Sequence, residues 1–509
     1  MSSTHPMPTT QSPVSNTGSE NSLLQRLKQH GPADLTASLV VFLVALPLCV
    51  GIAVASGVPA ELGIITGIVG GIVVGMMPGS SLQVSGPAAG LTVLVADLVS
   101  DHGIGSLGIV VLAAGALQLL LGFLRLGRWF QAISPAVVQG MLAGIGLVLI
   151  LGQIYPMLGE QQPKTTAEKF GGLPGLLGAD DPAALVLGVV TLAILIGWPR
   201  MPARVKVVPG ALVAVLLGGL ATWVFDLPVT RIEISTFGDA VRLPGLEDFG
   251  NLLTPGVLGA ALTFALIASA ESLFSAAAVD RMHDGKPTDY NRELIAQGTG
   301  NAVCGVLGAL PMTAVIVRSA ANVQAGAKTK ASRVLHGVWL LLFVAALPGV
   351  LGFVPIPVLA ALLVFSGVKL LELPKVIELV RTNTAEAAIL LITAVMIVST
   401  DLLIGTCAGL AAAILKTAWE VSHLHVHQTT LEDGVRVHLR GNATFLRLPQ
   451  LLTSLEKVPA GGRVELDLTD VRHLDAACEQ AVQSWVDQRR RASGSVALSL
   501  PEPRLATAR

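Results

Sequence analysis

Gly79-Ser80-Ser81-Leu82-Gln83-Val84-Ser85-Gly86-Pro87-Ala88-Ala89-Gly90 and Gly308-Ala309-Leu310-Pro311-Met312-Thr313-Ala314, running on to Arg318, are the two stretches whose reading decides the fold. Each is too short and too polar for an ordinary membrane span. Each reads as an extended approach followed by a helix that Pro opens, because the N–H that proline lacks would be unpaired at a first helical position anyway. One is the third segment of a first set of seven apolar segments; the other is the third of a second seven. Short, Gly/Pro-interrupted segments at matching places in two halves point to an inverted-repeat transporter. The two half-helix N-termini would then meet near the bilayer midplane. Each offers free N–H groups and about half a positive charge, which together suit an anion. The alternative is two ordinary helices joined by Gly/Pro loops.

Around these stretches the composition is that of a membrane protein. The 509 residues are 52% hydrophobic and 13% charged, with mean hydropathy +0.69, against roughly 25% charged in soluble domains. A soluble enzyme and a disordered chain are excluded. So is an outer-membrane barrel, whose alternating strands leave no long apolar runs. The net charge of -1 gives no general attraction to nucleic acid. Cys49, Cys304, Cys407 and Cys478 are scattered, with no metal spacing or disulfide framework.

On the rule that a span needs about 20 apolar residues, the segments run approximately 35–55, 60–77, 87–100, 105–123, 134–154, 183–199, 208–226, 254–279, 291–308, 313–325, 334–350, 356–371, 384–400 and 402–418. That is about fourteen. With the N-terminus inside, the cytoplasmic loops collect Arg125, Arg128, Arg200, Arg204, Lys206, Arg281, Lys286, Arg292, Lys328, Lys330, Arg333, Lys369, Lys375, Arg381 and Lys416. The outer loops hold only Lys164, Lys169, Arg231 and Arg242, among Glu160, Glu168, Asp180, Asp181, Glu233, Asp239, Glu247 and Asp248. The positive-inside rule then predicts an even count and both termini in the cytoplasm. Three regions follow. Residues 1–30 are a polar, disordered cytoplasmic tail without the pattern of a cleavable signal. Residues 31–420 form the membrane domain, and 421–509 a cytoplasmic domain and tail.

Glu271 is the charge that no loop absorbs. It sits in Thr263-Phe264-Ala265-Leu266-Ile267-Ala268-Ser269-Ala270-Glu271-Ser272, where an ionised carboxylate costs roughly 3 kcal/mol or more unless paired or hydrated. Ser275, four residues on, shares its helical face. A carboxylate with a hydroxyl suits a hard cation such as sodium. The alternative is a structural carboxyl paired with Arg318 or capping backbone. Arg318 itself either adds positive charge to the anion site or snorkels to the cytoplasmic face. Asp97 and Asp401 lie near span ends and read as interfacial. His423, His425 and His427 alternate on one strand face. They fit a linker leading into a sheet better than a metal site, since no second ligand cluster accompanies them.

Beyond Lys416 the composition changes. Val435–Arg440, Val464–Leu468 and Ser495–Leu500 read as strands, and Leu448–Lys457 and Asp475–Arg491 as helices. The alternation predicts a small α/β domain with an interaction or regulatory role.

Several stretches carry a resemblance. Asp34-Leu35-Thr36-Ala37-Ser38-Leu39-Val40-Val41-Phe42-Leu43-Val44-Ala45-Leu46-Pro47 with Gly51-Ile52-Ala53 resembles the opening helix of the sulfate-permease (SulP) family. Gln83-Val84-Ser85-Gly86-Pro87-Ala88-Ala89-Gly90 resembles its third-helix motif, and Arg318-Ser319-Ala320-Ala321-Asn322 with Gly326-Ala327-Lys328-Thr329 its tenth-helix motif. Asn291–Asn301 is also similar, and the tail resembles a shortened STAS domain. The resemblance implies an all-α polytopic membrane protein with a 7+7 inverted repeat, divided into a core (spans one to four and eight to eleven) and a gate, plus a small cytoplasmic α/β STAS-like domain. It implies a homodimer, in the inner or plasma membrane, that is not an enzyme. Carried over by motif, Ser85, Gly86, Ala88, Met312 and Thr313 lie near the anion. Glu271 and Ser275 match the cation positions of cyanobacterial sodium-dependent bicarbonate transporters. Here Glu stands where those have Asp, so a proton is the alternative to sodium. The tenth helix begins Leu310-Pro311-Met312-Thr313 rather than with a Gly/Ala run. In the tail, Asp475 is followed by Ala476, Ala477 and Cys478 instead of the phosphorylatable Ser, so that regulation is expected to be absent.

The expected function is secondary transport of a small anion inward with sodium and no other cofactor. Bicarbonate is the preferred cargo and a carbonic anhydrase a candidate partner, because the third-helix motif resembles the bacterial branch associated with that enzyme. The alternatives are a sulfate or dicarboxylate proton symporter, and an uncoupled anion channel or voltage-responsive motor, against which Glu271 argues. A nucleobase–proton symporter ranks low, because its usual acidic pair is missing.

Overall fold

The computed structural model describes residues 18–499 apart from 133, 164, 179–180, 203, 206–207, 233–240, 246–249, 251–253, 432, 460–461 and 492–494. Lys164, Asp180, Lys206, Glu233, Asp239, Glu247 and Asp248, named above, lie outside the described residues. The chain divides into two compact units, Met1–Ala408 and Gly409–Arg509.

Each of the fourteen expected segments has a counterpart in the first unit or at its end. Among the described residues, seven helices are long and apolar enough to cross a membrane, including Gly105–Phe123 (α4), Pro135–Met157 (α5), Pro255–Asp280 (α9) and Leu402–Val421 (α16). Four shorter apolar helices, Ala60–Val74, Gly210–Val224, Ala331–Ala346 and Thr384–Ser399, add to them. Tyr290–Val306 (α10) and two half-helices, Thr92–His102 (α3) and Ile316–Gln324 (α11), complete the set. The first helix starts at Gly18, not near residue 31. No proline interrupts residues 18–31 of the tail expected to be disordered, so nothing there breaks the helix.

The half-helices depart from expectation in one respect. Neither Pro opens a helix. Pro87 ends strand β1 (Ser85–Pro87), Pro311 precedes strand β2 (Met312–Ala314), and each helix begins later. Proline's fixed φ fits an extended chain as well as a helix start, and the residue before it is pushed to extended backbone. The two strands pair antiparallel, Ser85 with Ala314, Gly86 with Thr313 and Pro87 with Met312. Equivalent strands of two halves pair this way when the halves run in opposite directions.

A glycine seam fixes the helices behind the strands. Gly108, Gly115 and Gly122 recur every seven residues on α4; Gly108 faces Gly305 on α10, Gly115 faces Gly298, and Gly122 faces Ile295 and Asn291. A Cβ at Gly115 would stand 2.4 Å from the Ala302 nitrogen, and one at Gly305 would stand 2.3 Å from the Leu112 nitrogen. Small residues at a seven-residue repeat let two helices pack backbone to backbone.

The second unit carries a four-stranded sheet ordered β3 (Leu424–Leu431), β4 (Gly434–Ala443), β5 (Arg463–Leu474), β6 (Val496–Ser499). The β3–β4 pair is antiparallel and the others parallel. The histidine stretch read as a linker is therefore itself the edge strand from Leu424 onward. His425 and His427 are exposed on it, and no metal-binding group of three or more His, Cys, Asp or Glu forms among the described residues. Leu451, Leu455, Cys478, Val482 and Val486 from helices Leu448–Glu456 and Ala476–Arg491 join Val437, Leu439, Leu466 and Leu468 in the core.

Asp475 caps the second of these helices. Its carboxylate accepts from the Cys478 amide at 2.8 Å and from the Phe445 amide. Partial burial works against its charge, but these amides hold its carboxyl below the ordinary 3.8. Asp475→Ala is expected to cost about 1 kcal/mol, read as faster hydrogen exchange in residues 476–491 of the intact protein. A depressed carboxyl contributes its full stability above the unfolded value and loses it as pH falls through the folded value. The deficit of the variant should therefore vanish well below pH 3.8.

Candidate functional site

The site is built where β1 and β2 release their half-helices. The strand pair is held by buried side chains from three helices. Asn301 of α10 donates to the Met312 carbonyl at 3.0 Å and accepts from the Met312 amide at 2.7 Å. Asn301 also donates to Gln118 at 2.7 Å, which donates to Ser269 at 3.2 Å. Gln297 donates to Ser85 Oγ at 2.7 Å and to Glu293 at 2.8 Å. On α9, the Ser272 hydroxyl accepts from the Ala314 amide at 3.2 Å, and the Ser275 hydroxyl donates to the Ala314 carbonyl at 2.9 Å. Polar groups this deep must find partners inside the protein, and here they bond the backbone of β2 and one another.

Arg333 secures the approach to β1. Counted above as a loop charge, it is 2% exposed. Its guanidinium donates to the carbonyls of Gly75 (3.0 Å), Met77 (3.0 Å) and Gln83 (3.4 Å). A long side chain near a span end is free to fold inward, which residue counting does not register.

A 3-10 turn, Ala89–Leu91, leads into α3, so that the Leu91 and Thr92 amides donate to the Ala88 and Ala89 carbonyls. No side chain caps the start of this turn, after Ala88, or the start of α11, after Val315. Uncapped N-termini keep donors for an anion.

Arg318 does not snorkel. It is fully buried, and its Nε, Nη1 and Nη2 have no hydrogen-bond partner. It lies against Gly86, where a Cβ would stand 2.1 Å from Nη1, so glycine is required there for the guanidinium to fit. Glu271 Oε2 is likewise buried without a partner. The Thr313 hydroxyl is adjacent to the Glu271 carboxyl, although Thr313 Oγ1 closes no hydrogen bond. Glu271 and Arg318 form no ion pair with each other.

Glu271, Ser275 and Arg318 line one cavity. Ala89 of the first half, Leu48 and Ile52 of the first helix, Met141 of α5, and Leu363 and Ser366 of helix Ile356–Leu370 are among its other walls. Ser85, Gly86, Ala88, Met312 and Thr313 are buried in and around the strand pair and are not among those walls. Sequence reading named Glu271, Ser275 and Arg318, which the fold brings together. It missed Gln118, Gln297, Asn301 and Arg333. Asn301 and Gln297 did lie in a quoted stretch, but only pairing across the fold reveals what they hold.

Comparison with known proteins follows the same lines. Residues 32–393 match the sulfate permease family, and residues 426–508 match the family described as Mlab, STAS domain. The putative sulfate transporter YvdB of Bacillus subtilis (strain 168) is 31% identical over 91% of this chain and 90% of its own. The bicarbonate transporter BicA of Synechocystis is 27% identical over 81% of this chain and 78% of its own. Among solved structures, the transmembrane domain of a cyanobacterium bicarbonate transporter BicA is similar with TM-score 0.65 and 24% identity, covering 76% of this chain and 98% of that one. The murine Solute Carrier 26 family member A9 anion transporter, in its inward-facing state, has TM-score 0.74 and 14% identity over 96% of this chain and 90% of its own. These structural likenesses bear on the fold.

Proposed function

The chain belongs to the sulfate permease family and ends in a STAS domain, and on that premise we propose that it carries bicarbonate inward together with sodium, by alternating access. It is a multi-pass membrane anion transporter, not an enzyme. One observation carries the finer reading. A single cavity holds a carboxylate oxygen and a guanidinium that both lack partners. The first calls for a cation and the second for an anion, and each makes the other's ligand easier to bind. Ser275 and Thr313 supply hydroxyl oxygens beside the carboxylate, a donor set for a hard cation.

Charge balance bears on the cargo. Arg318 and two half-helix dipoles amount to roughly +2, and ionised Glu271 reduces this to about +1. A monovalent anion matches that balance before sodium binds, and sodium on Glu271 returns it to about +2 and adds further attraction. Sulfate, which would match the full +2, is the second reading, supported by the name of the Bacillus subtilis relative. In the proposed arrangement the protein is a homodimer in the plasma membrane with both termini cytoplasmic, and a carbonic anhydrase is a candidate partner. Spans one to four and eight to eleven move as the core against the remaining spans.

Proteoliposome uptake of labelled bicarbonate, sulfate and fumarate, with sodium or pH gradients imposed separately, tests the proposal. Bicarbonate uptake that requires inward sodium is expected. Sulfate uptake driven by a pH gradient, with bicarbonate inert, would replace it with the second reading.

A further inference from the structure

A second cavity lies beside the segment joining α5 to helix Pro182–Gly197. The short helix Thr166–Gly172 flanks it. A capping box between Thr165 and Glu168 fixes this helix, as does Tyr155, whose hydroxyl donates to the Lys169 carbonyl at 2.5 Å. So placed, Lys169 turns inward and is 6% exposed, where counting along the sequence makes it an ordinary loop cation. Thr92, Asp97, Gln153 and Gln162 share the cavity with it.

Two of these groups lack a partner. The Thr92 hydroxyl is buried, at 3% exposure, with no hydrogen bond. Lys169 makes no ion pair among the described residues. Burial pulls the lysine below its ordinary value, and Asp97 is the charge that acts against that pull. Asp97 and Gln162 are exposed at the rim of the cavity, so an ion from solvent can reach the ammonium. Thr92 is also the first residue of α3, the half-helix reached through Ala89, which lines the cavity of Glu271 and Arg318.

The geometry points to a reception site for a small inorganic oxyanion, held between the Lys169 ammonium and the Thr92 hydroxyl. The carboxamides of Gln153 and Gln162 supply further donors, and Asp97 is the built-in competitor that the anion displaces. A cation is disfavoured by the ammonium. A trigonal or tetrahedral oxyanion accepts from all four donors. The site rests on the reading that anions enter from this side, the one that loop charge places outside.

The test uses bicarbonate as the probe. Lys169→Gln is expected to raise the half-saturating external concentration by roughly ten- to a hundredfold, the loss of one charge-assisted hydrogen bond, with the maximal rate retained. Lys169→Arg should restore it, and Asp97→Asn should lower it several-fold. An unchanged half-saturation in Lys169→Gln, or a fall in maximal rate alone, overturns the site.

A readout independent of transport separates this site from the transport proposal. In Gln162→Cys, bicarbonate should slow modification by a membrane-impermeant thiol reagent, and adding Lys169→Gln should remove that protection. Protection without uptake would leave the site standing and refute bicarbonate transport. Uptake without protection would do the reverse.

Discussion

Glu271→Gln is expected to abolish sodium-stimulated uptake while leaving the protein folded. The substitution keeps size and hydrogen-bonding capacity and removes the charge. In the wild type, sodium neutralises a carboxylate that shares its cavity with Arg318 and with Ala89, beside the first half-helix start. An anion about 6 Å from an unneutralised Glu271, at an effective dielectric near 20, meets a repulsion of about 3 kcal/mol, or roughly a hundredfold in affinity. By linkage, sodium should tighten anion binding and the anion should tighten sodium binding by that same factor. The variant should lose both effects, measured as anion affinity across sodium concentration and pH. If a proton is the coupling ion, pH takes sodium's place as the controlling variable in the wild type. Unchanged sodium stimulation in Glu271→Gln would remove the residue from the mechanism.

Gly115→Val should prevent accumulation of folded protein. Its Cβ would stand 2.4 Å from the Ala302 nitrogen and 2.8 Å from the Gly298 carbonyl oxygen. Both obstacles are backbone, so the α4–α10 seam must open rather than a side chain turn aside. Overpacking costs about 1–3 kcal/mol where side chains can yield, and this seam should exceed that range. Gly259→Ala is the contrasting control. Nothing lies within 4 Å of a Cβ there, and helix propensity favours Ala over Gly by about 1 kcal/mol. Size-exclusion profiles and thermal melts in detergent should move in opposite directions for the two.

Much of this architecture was legible beforehand, for physical reasons. Span length follows from bilayer thickness, so apolar runs mark helices. The two half-helices show themselves because polar, Gly- and Pro-containing stretches are out of place among such runs. Glu271 stood out as a charge that no loop could absorb. Other features were not legible. Proline serves a strand and a helix start equally, so Pro87 and Pro311 misplaced the helix beginnings. Arg333 and Lys169 lie near segment ends, where residue type alone implies solvent. Asn301 and Gln118 are 183 positions apart, and no local pattern signals that they share a hydrogen bond. The histidine alternation was visible, but its partner strand, which makes it part of the sheet, came from the fold.

The antiparallel crossing of β1 and β2 has a consequence for how the molecule is made. The Val84 amide finds its partner in Ser319, 235 residues further along the chain, and Leu82 waits equally for Asn322. At a synthesis rate of about 5–20 residues per second, the second stretch follows the first by roughly 10–50 s. An unpaired backbone group left in hydrocarbon costs several kcal/mol. The first half of the nascent chain therefore cannot settle into lipid when it emerges. It must be sheltered until translation has passed Asn322, so assembly of the transport domain is governed by the ribosome's progress through the second half.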